Sequence, residues 1–508
     1  MNALFDGLLE NINPSARFAT IPGEKDRYYS YQHVLDVSAR IANVLVGRGV
    51  KPGDRVAVQV PKSIEALMLY LATVRAGAVF LPLNTSYTVS EVLYFLNDAS
   101  PSLFVCDPDR IDAYQGLAEE LEIHLDTLGV WKDPETSAGS LSDDSLAAPT
   151  SFESIARSGE DLAAILYTSG TTGRSKGAML SHDNLLSNAR TLVDYWQFTS
   201  QDVLLHALPI FHTHGLFVAT NTVIASGASM IVLPGFNADT IFEHLPDVTS
   251  LMGVPTFYTR LLDDERLSRG LVENMRLFVS GSAPLLAETH IQFVERTGHR
   301  ILERYGMTET NMNTSNPYDG ERKAGTVGFP LPGVEIRITE EENGKPVKDG
   351  EVGILEVKGP NVFSGYWNMP EKTAEDFRDD GFFITGDMST IDKDGYVQIV
   401  GRAKDLIISG GYNIYPKELE LVLDEQDGVL ESAVIGVPHA DFGETPVGIL
   451  VAQSGAEISE SVILENIKGE LARFKQPRKL LVVDALPRNT MGKVQKNLLR
   501  DEYKDLFS

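Results

Sequence analysis

Cysteine is almost absent from the chain, which has one, Cys106, among 508 residues. A single thiol excludes an intramolecular disulfide framework and fits a reducing compartment, so we predict a cytoplasmic location. No apolar run approaches the ~20 residues that a bilayer-spanning helix needs. The first residues, MNALFDGLLENINP, also lack the basic start of a secretory signal. We therefore expect neither a membrane span nor secretion.

Basic residues are scarce as well. The chain has 44 lysines and arginines against 71 acidic residues, and its formal net charge is −27. Such a balance argues against nucleic acid or an anionic membrane as a partner. A binding site for an anionic ligand therefore requires a local cluster of basic side chains. The composition leaves a monomer and a homodimer equally open.

The stretch from Leu166 to Gly177 reads LYTSGTTGRSKG and follows a short apolar segment typical of a buried strand. Glycines let backbone N–H groups converge on an anion, and hydroxyls and cations add to the attraction. It is not a Walker A loop, because Lys176 is followed by Gly177. A flexible polar turn would not explain strand, hydroxyls and cations together. We predict a phosphate-binding loop, with these candidates: Thr168, Ser169, Gly170, Thr171, Thr172, Gly173 and Lys176.

Strand and helix patterns alternate along much of the chain, which predicts an α/β fold with a largely parallel sheet. Short alternating strands in Thr326 to Lys358 and Gly395 to Val400 predict a small β subdomain. Beyond the segment GRAKDLIISGGYN, the order helix, strand, strand, helix, strand predicts a separate α+β domain. We place the two domains at residues 1–403 and 404–508.

The loop sequence YTSGTTGRSKG resembles the phosphate loop of the adenylate-forming superfamily, which contains acyl-CoA synthetases, luciferase-like enzymes and peptide-synthetase adenylation domains. Other segments match in order, so the resemblance covers nearly the whole chain. The segments GVPTFYTR, VSGSAPL and ERYGMTETNMN resemble its malonyl-CoA synthetase branch in particular. The resemblance implies a large N-terminal domain of stacked α/β sheets and a smaller, mobile C-terminal domain.

The same resemblance implies a two-step ATP-dependent reaction. Malonate is first joined to AMP with release of pyrophosphate, and the acyl group then passes to coenzyme A with release of AMP. Mg²⁺ would accompany the ATP. Methylmalonate is expected as a second substrate, because one methyl group is worth only ~1–3 kcal/mol of discrimination.

The segment ERYGMTETNMN places a hydroxyl beside a carboxylate, at Thr308 and Glu309, which suits an α-phosphate contact and a Mg²⁺ ligand. A capped helix start is the alternative from the residues alone. The resemblance favours the nucleotide site, with Tyr305 stacked on adenine and Asp387 accepting the ribose hydroxyls. Glu309 and Thr168 are the metal candidates. The further ATP candidates are Ser282, Ala283, Pro284, Arg304, Tyr305, Gly306, Met307, Asp387 and Arg402.

The segment PRNTMGKVQK resembles the C-terminal motif whose lysine, here Lys493, bridges the carboxylate and the α-phosphate. The resemblance also places a hinge at Lys404 and the coenzyme A side of the mobile domain at Gly410 and Gly411. Swinging about the hinge would serve the two steps in turn. The residues expected to act in catalysis are Lys493, Glu309, Thr308 and His212.

The acid candidates are Arg260, Ser282, His212 and Met307. Arg260 follows an aromatic pair in GVPTFYTR, and a guanidinium in a pocket calls for a second carboxylate. Its alternative place is the solvated face of a helix. If LPIFHTHGLF is a strand, His212 and His214 share one face, but no nearby carboxylate or cysteine completes a zinc site.

Other functions remain open at this point. Another acyl-CoA synthetase or a stand-alone carboxylate-adenylating domain would share most of these motifs. An amino-acid adenylation domain would need an acidic residue near Phe211 or His212, and that segment has none. A luciferase-like oxygenase shares the first step. A non-catalytic nucleotide sensor could dispense with Lys493 and Glu309, yet both are present.

Overall fold

The computed structural model describes residues 1–507 except 24, 131–138, 169–174, 342, 349, 410–411, 440–441, 472, 474 and 490–491. Most of the strands are short, and they belong to four sheets. The strands are β1 (Arg17–Ile21), β2 (Arg27–Ser30), β3 (Arg55–Gln59), β4 (Val79–Pro82), β5 (Leu103–Cys106), β6 (His124–Thr127), β7 (Leu162–Thr168), β8 (Lys176–Ser181), β9 (Val203–His206), β10 (Ser229–Val232), β11 (Ser250–Gly253), β12 (Leu277–Ser280), β13 (Leu302–Met307), β14 (Asn311–Ser315), β15 (Phe329–Pro330), β16 (Glu335–Thr339), β17 (Gly353–Lys358), β18 (Phe383–Ile391), β19 (Val397–Arg402), β20 (Ile407–Ser409), β21 (Tyr412–Ile414), β22 (Val429–His439), β23 (Gly443–Ala452) and β24 (Lys479–Val483).

Helices connect most of these strands. They are α1 (Ala3–Leu8), α2 (Tyr31–Gly47), α3 (Ile64–Arg75), α4 (Val89–Ala99), α5 (Ile111–Glu120), α6 (Ser140–Ala147), α7 (His182–Tyr195), α8 (Asn221–Ser226), α9 (Ala238–His244), α10 (Pro255–Leu262), α11 (Ala287–Thr297), α12 (Pro370–Asp376), α13 (Pro416–Asp424), α14 (Glu460–Asn466) and α15 (Lys496–Tyr503). Within the described part of the chain, no helix combines the length and apolar character needed to cross a bilayer.

The first two-thirds of the chain, up to Pro330, supplies the strands of two large sheets. One has the order β6-β5-β3-β4-β7-β8 and is parallel except for the β7–β8 hairpin. The other has the order β15-β14-β13-β12-β11-β9-β10-β1-β2 and is parallel from β13 to β1. Helix α3 packs between layers with every residue from Ile64 to Val74 buried, which explains its nearly continuous apolar sequence.

Two smaller sheets complete the structure. Strands β16 to β19 form an antiparallel four-stranded sheet in sequence order, which confirms the predicted small β subdomain. Strands β20 to β24 form the last sheet, and α13, α14 and α15 cover it. This last part has apolar clusters of its own, centred on residues such as Leu423 and Ile449. The mixed α/β class with a smaller α+β unit is therefore confirmed.

The element boundaries follow local sequence signals. Thr88 and Glu91, at capping-box spacing, begin α4: the Thr88 hydroxyl accepts from the Glu91 N–H, and the Glu91 side chain accepts from the Thr88 N–H. The predicted C-terminal order of helix, strand, strand, helix and strand is also found. The phosphate loop is preceded by a strand, β7, as predicted. The loop leads directly into a second strand, β8, which pairs antiparallel with β7, and the sequence pattern did not predict this hairpin.

Candidate active site

The predicted phosphate loop joins the two strands of the β7–β8 hairpin. Thr168 and Lys176 are paired across the hairpin, so the loop between them starts and ends at one point of the sheet. The candidates Ser169, Gly170, Thr171, Thr172 and Gly173 lie outside the described residues. Lys176 Nζ lies 4.3 Å from the centre of the Tyr366 ring and 3.9 Å from Asp376 Oδ2. An aromatic face and a carboxylate thus hold the lysine at the base of the loop.

Glu309 lies at the turn of a second hairpin, β13–β14. The segment is therefore a strand pair, and the alternative of a helix start at Thr308 is wrong. A Cβ at Gly306 would lie 1.8 Å from the Asn311 carbonyl oxygen, so only glycine fits this close approach. Burial raises the pKa of Glu309, while Arg402, Tyr366 and Lys176 act in the opposite direction. The carboxylate is therefore buried but surrounded by groups that favour its charge.

The Mg²⁺ ion expected with ATP needs oxygen ligands, and in nucleotide sites one or two carboxylates act together with phosphate oxygens and water. The described residues contain no group of three or more His, Cys, Asp or Glu side chains that could hold a metal. Glu309, 7% exposed, offers one buried carboxylate near Lys176. These residues fit an ion that arrives with the nucleotide and is held partly by its phosphates.

A third group of candidates lies where the four-stranded sheet meets β13. Asp387 on β18 pairs in register with Arg402 on β19, and Arg402 Nε lies 2.6 Å from Asp387 Oδ1. The Tyr305 hydroxyl donates to Asp387 Oδ2 at 2.5 Å. Arg402 Nη1 also donates to the Thr385 carbonyl oxygen at 3.0 Å. The carboxylate predicted to bind ribose is thus fixed from two sides, and Tyr305 is tied to it through its hydroxyl.

His212 and His214 lie beyond the carboxyl end of strand β9, which is part of the nine-stranded sheet. The segment is not a strand: a π-helix, His214–Thr220, begins at the second histidine, and all seven of its residues are buried. The two rings therefore do not share a strand face as a metal site would require. Desolvation, with Arg304 and Lys493 adding to it, lowers the pKa of His212 to about 4. His212 is a neutral imidazole at neutral pH.

Arg304 is buried beside these histidines without a carboxylate partner among the described residues. It is 3% exposed, and its Nε and Nη2 atoms have no hydrogen-bond partner. A Cβ at Gly281 would lie 2.3 Å from Arg304 Cζ, so a larger residue here would displace the guanidinium from its position. Desolvation lowers the pKa of Arg304 to about 9. A buried guanidinium with unpaired N–H groups is a binding site for an anion.

Ser282 belongs to the same group of side chains. It adopts a φ of +71°, a conformation that costs energy in a residue other than glycine. Its Oγ lies 3.2 Å from His214 Nδ1. Ser282 directly follows Gly281, against which the Arg304 guanidinium packs. Ala283 and Pro284 complete this turn. Met307 lies on β13, and its sulfur atom is 3.8 Å from the Tyr305 hydroxyl oxygen.

Arg260 occupies a different place from Arg304. It lies on α10, its side chain is exposed, and its guanidinium sits 5.4 Å from the centre of the Phe236 ring. Thr256, one turn earlier on the same helix face, faces Gly492: a Cβ on Gly492 would lie 3.4 Å from Thr256 Oγ1. Arg260 is thus near the rim of the cleft that Lys493 enters. No described contact joins it to Ser282.

Lys493 enters the site from the C-terminal part. Its loop is held by hydrogen bonds with Asn489, whose Oδ1 accepts from the Lys493 N–H at 2.9 Å. Desolvation and Arg402 lower the pKa of Lys493, while Asp387 raises it. The side chain nevertheless remains exposed, as expected for an ammonium group in an open cleft lined by protein. Lys493, Arg402, Asp387 and His212 are therefore brought together.

The predicted hinge residue and coenzyme A residues lie just beyond β19. Lys404 is exposed in a short 3₁₀ turn, Ala403–Asp405. Its neighbour Asp405 is paired with Arg500 of α15, with 2.8 Å between Asp405 Oδ1 and Arg500 Nη2. Gly410 and Gly411 lie outside the described residues. The turn joins the four-stranded sheet to the C-terminal unit, where a hinge is expected.

Two residues close to the site carry no signal that the sequence analysis used. Tyr366 lies in a loop before α12 and contacts both Glu309 and Lys176. Lys62 precedes α3 and contacts His206 at the end of β9. Both are single residues outside the quoted motifs. Only the fold brings them to the site, so spacing along the chain could not find them.

Comparison with known proteins agrees with this geometry. The model of the AMP-binding enzyme family matches residues 12–367, and that of the AMP-binding enzyme C-terminal domain matches residues 418–493. A malonate–CoA ligase of Arabidopsis thaliana is 38% identical over 521 residues, covering 93% of this chain and 84% of that protein. This chain belongs to the AMP-binding enzyme family.

Solved structures extend the match to the whole chain. The crystal structure of ATP-bound MatB from Rhodopseudomonas palustris is 57% identical, with a TM-score of 0.97 and 100% coverage of both chains. The apo crystal structure of MatB from the same organism, at the same identity and coverage, gives 0.86. The arrangement of this chain is therefore nearer to the ATP-bound form. The predicted adenylate-forming superfamily and its fold are confirmed.

Proposed function

We propose that the protein is an ATP-dependent malonate–CoA ligase. Malonate and ATP form malonyl-AMP and pyrophosphate, and malonyl-AMP and coenzyme A then form malonyl-CoA and AMP. The observation that carries the choice of acid is Arg304, a buried guanidinium with two unpaired nitrogen atoms beside Ser282. A monocarboxylic acid would leave this charge unpaired in the pocket, whereas the distal carboxylate of malonate would pair with it. The malonate–CoA ligase relative supports the same choice.

The proposed role of Arg304 differs from the nucleotide contact expected from the sequence. Its guanidinium lies among His212, His214 and Tyr258, on the far side of β13 from the pair formed by Asp387 and Arg402. Arg260, exposed at the rim of the cleft, would attract the diacid electrostatically and contact it as it enters the cleft. Methylmalonate should be accepted as well, because one methyl group gives little discrimination.

In the first step, the chain brings two anions together and neutralises their charge. Lys176 and the loop that begins at Thr168 would hold the outer phosphates, and Glu309 would hold the Mg²⁺ that neutralises them. Thr308 would contact the α-phosphate. Lys493 would lie between the malonate carboxylate and the α-phosphate, where its charge stabilises the transition state. His212, neutral at the working pH, would donate to or accept from the reacting carboxylate without adding charge.

Asp387 and Arg402 would position the nucleotide through its ribose. Asp387 is already held by Tyr305 and Arg402, so its orientation is fixed before ATP binds. The C-terminal part, residues 404–508, would then turn about Lys404, removing Lys493 and admitting coenzyme A past Gly410 and Gly411. The N-terminal part, residues 1–403, would keep the acyl-adenylate in place between the two steps.

A panel of acids tests the proposal. Malonate, methylmalonate, succinate, propionate and ferulate are compared for release of pyrophosphate without coenzyme A and for AMP formation with it. We expect malonate to have the highest kcat/KM, methylmalonate to follow within about 100-fold, and propionate to fall well below both. A preference for propionate or ferulate would overturn the choice of a diacid, while leaving the adenylating chemistry in place.

A further inference from the structure

A cavity of about 240 Å³ lies between the two large sheets, at the carboxyl ends of β3, β4, β9 and β10. Ligands of α/β proteins bind at such ends. Its walls are apolar, and the main ones are Val60, Phe80, Pro82, Ile210, Phe211 and Pro234. Within this lining there is one charged residue, Lys62. Of the quoted segments, LPIFHTHGLF reaches this cavity through Ile210 and Phe211.

Lys62 is held by the last residue of strand β9. Its Nζ lies 2.7 Å from the His206 carbonyl oxygen and 3.0 Å from His206 Nδ1. On the other edge of the ring, His206 Nε2 lies 3.0 Å from the Gly215 carbonyl oxygen. Because a carbonyl oxygen only accepts, Nε2 carries the proton and Nδ1 is an acceptor. Both His206 atoms that face Lys62 therefore accept hydrogen bonds.

This geometry suits an uncharged amine. A neutral amine has two N–H groups and one lone pair, and the two acceptors on His206 use both N–H groups. No ion pair joins Lys62 to a carboxylate within the described part of the chain, and burial lowers the pKa of Lys62 well below its ordinary value. An ammonium ion would direct a third N–H into an apolar cavity. The lone pair of the neutral amine is instead free to accept a proton from a group that enters the cavity.

The cavity and the adenylate site are separated by one short segment. Ile210 and Phe211 line the cavity, whereas the next residue, His212, faces Arg304 and Lys493. His206 Nε2 contacts Gly215, the residue after His214, so Lys62 is connected to the same segment. Only this segment therefore lies between a nucleophile in the cavity and the side chains of the adenylate site.

We propose that Lys62 takes the proton from the coenzyme A thiol as its sulfur attacks the acyl-adenylate. The inference rests on the proposed function, because it needs an acyl-adenylate and a thiol. The S–H proton passes to Lys62 Nζ, the C–S bond forms, and the bond between the acyl carbon and the phosphate oxygen breaks with AMP taking the electron pair. The resulting ammonium ion keeps its two hydrogen bonds to His206. A lysine whose pKa is lowered by burial is suited to taking up a proton in this way.

Separate half-reactions test the proposal with Lys62→Met. Malonate-dependent exchange of pyrophosphate into ATP reports the first step, and single-turnover transfer from preformed malonyl-AMP to coenzyme A reports the second. We expect the second rate to fall by about 100-fold or more and the first to stay within about threefold. Lys51→Met, which removes an exposed lysine just before β3, should change neither rate.

Two further measurements separate proton transfer from a structural role. Lys62→Arg keeps a donor but cannot take up a proton, so it should be as slow as Lys62→Met, and methylamine should partly restore the rate of Lys62→Met only. A fast arginine variant, an unchanged second rate or an equal loss of both steps would each overturn the role. If the native enzyme adenylates another acid in place of malonate, the proposed acid is wrong, and the same comparison is made with that acid.

Discussion

The Tyr366 hydroxyl donates a hydrogen bond to Glu309 Oε1 at 3.1 Å, and the ring of the same tyrosine lies 4.3 Å from Lys176 Nζ. One side chain thus contacts the carboxylate proposed to hold Mg²⁺ and the lysine proposed to hold phosphate. Glu309 is on the β13–β14 hairpin and Lys176 on β8, so Tyr366 connects the two large sheets at the nucleotide. Tyr366 therefore couples the position of the Glu309 carboxylate to that of the Lys176 ammonium group.

Tyr366→Phe should weaken Mg²⁺ binding in the presence of ATP. The variant keeps the ring against Lys176 but loses a hydrogen bond that lowers the pKa of Glu309. That pKa, already raised by burial, then rises further, so more of the carboxyl is protonated as the pH falls. We expect the half-saturating Mg²⁺ concentration to rise about fivefold, as for the loss of ~1 kcal/mol, and more at pH 6 than at pH 8. Calorimetric titration of Mg²⁺ into enzyme with ATP measures this.

The control for that experiment is Tyr28→Phe. Tyr28 is an exposed tyrosine whose hydroxyl bonds to Asp26, so its loss should leave the Mg²⁺ titration unchanged. An unchanged titration in Tyr366→Phe itself would show that Glu309 does not depend on the tyrosine.

Arg304→Met and Arg260→Met decide which arginine binds the distal carboxylate. Removing the buried guanidinium should raise the KM for malonate by about 100-fold or more, because a buried charged hydrogen bond is worth ~1.5–3 kcal/mol and its desolvated environment adds to the loss. Removing the exposed one should change KM by about tenfold at most, and less at high salt. Arg304→Lys, which keeps a charge without the planar fork, should recover part of the loss. A larger rise in KM for Arg260→Met than for Arg304→Met would show that Arg260, the candidate from the motif resemblance, binds the distal carboxylate.

These two arginines show what the sequence could and could not predict. The motif resemblance identified the segments around both, and the sheet, the hairpin strand β7 and the C-terminal unit were predicted from periodicity and turn residues. Burial was not predicted, because Arg260 and Arg304 both lie within two residues of aromatic or apolar side chains on either side in the sequence. Only the packing of β13 against the Gly281 turn makes Arg304 the enclosed one. The π-helix after His212 was missed for a similar reason, since its apolar sequence fits a strand equally well.

Asp424→Asn should stabilise the C-terminal unit at neutral pH. Burial raises the pKa of Asp424, at the end of α13, from 3.8 to about 6, with Lys417 partly opposing it. A carboxyl whose pKa is higher in the folded state loses stability as the pH rises from about 4 to about 6, and the amide has no such loss. We expect a gain of about 1–2 kcal/mol at pH 7, after allowing for partial exposure, that vanishes near pH 4.

Native-state hydrogen exchange of the β22 amides at several pH values measures this gain. Asp427→Asn, at an exposed position nearby, is the control and should be neutral across the range. A gain for Asp424→Asn that persists at pH 4 would mean that the carboxyl charge is not its cause.

Lys404→Pro should slow the second half-reaction more than the first. The 3₁₀ turn at Ala403–Asp405 is the connection about which the C-terminal part is proposed to turn, and proline fixes one backbone angle there and restricts Ala403 before it. The ATP-bound-like arrangement, which already has Lys493 in the site, should remain accessible. Single-turnover rates for the two steps provide the measurement, and an equal effect on both would argue against a hinge at this residue.

Lys493→Ala should abolish most of the adenylation while sparing thioester formation. The ammonium group is expected to stabilise charge that develops between the malonate carboxylate and the α-phosphate, and removing one such group typically costs 10²–10³ in rate. The thiol step should not use this group, because the proposed proton acceptor for the thiol is Lys62. Malonate-dependent pyrophosphate exchange should therefore fall by about 100-fold or more, whereas transfer from supplied malonyl-AMP should stay within about threefold. Lys504→Ala, at an exposed position beyond α15, controls for the loss of a surface charge, and an equal fall in both steps would exclude a role confined to adenylation.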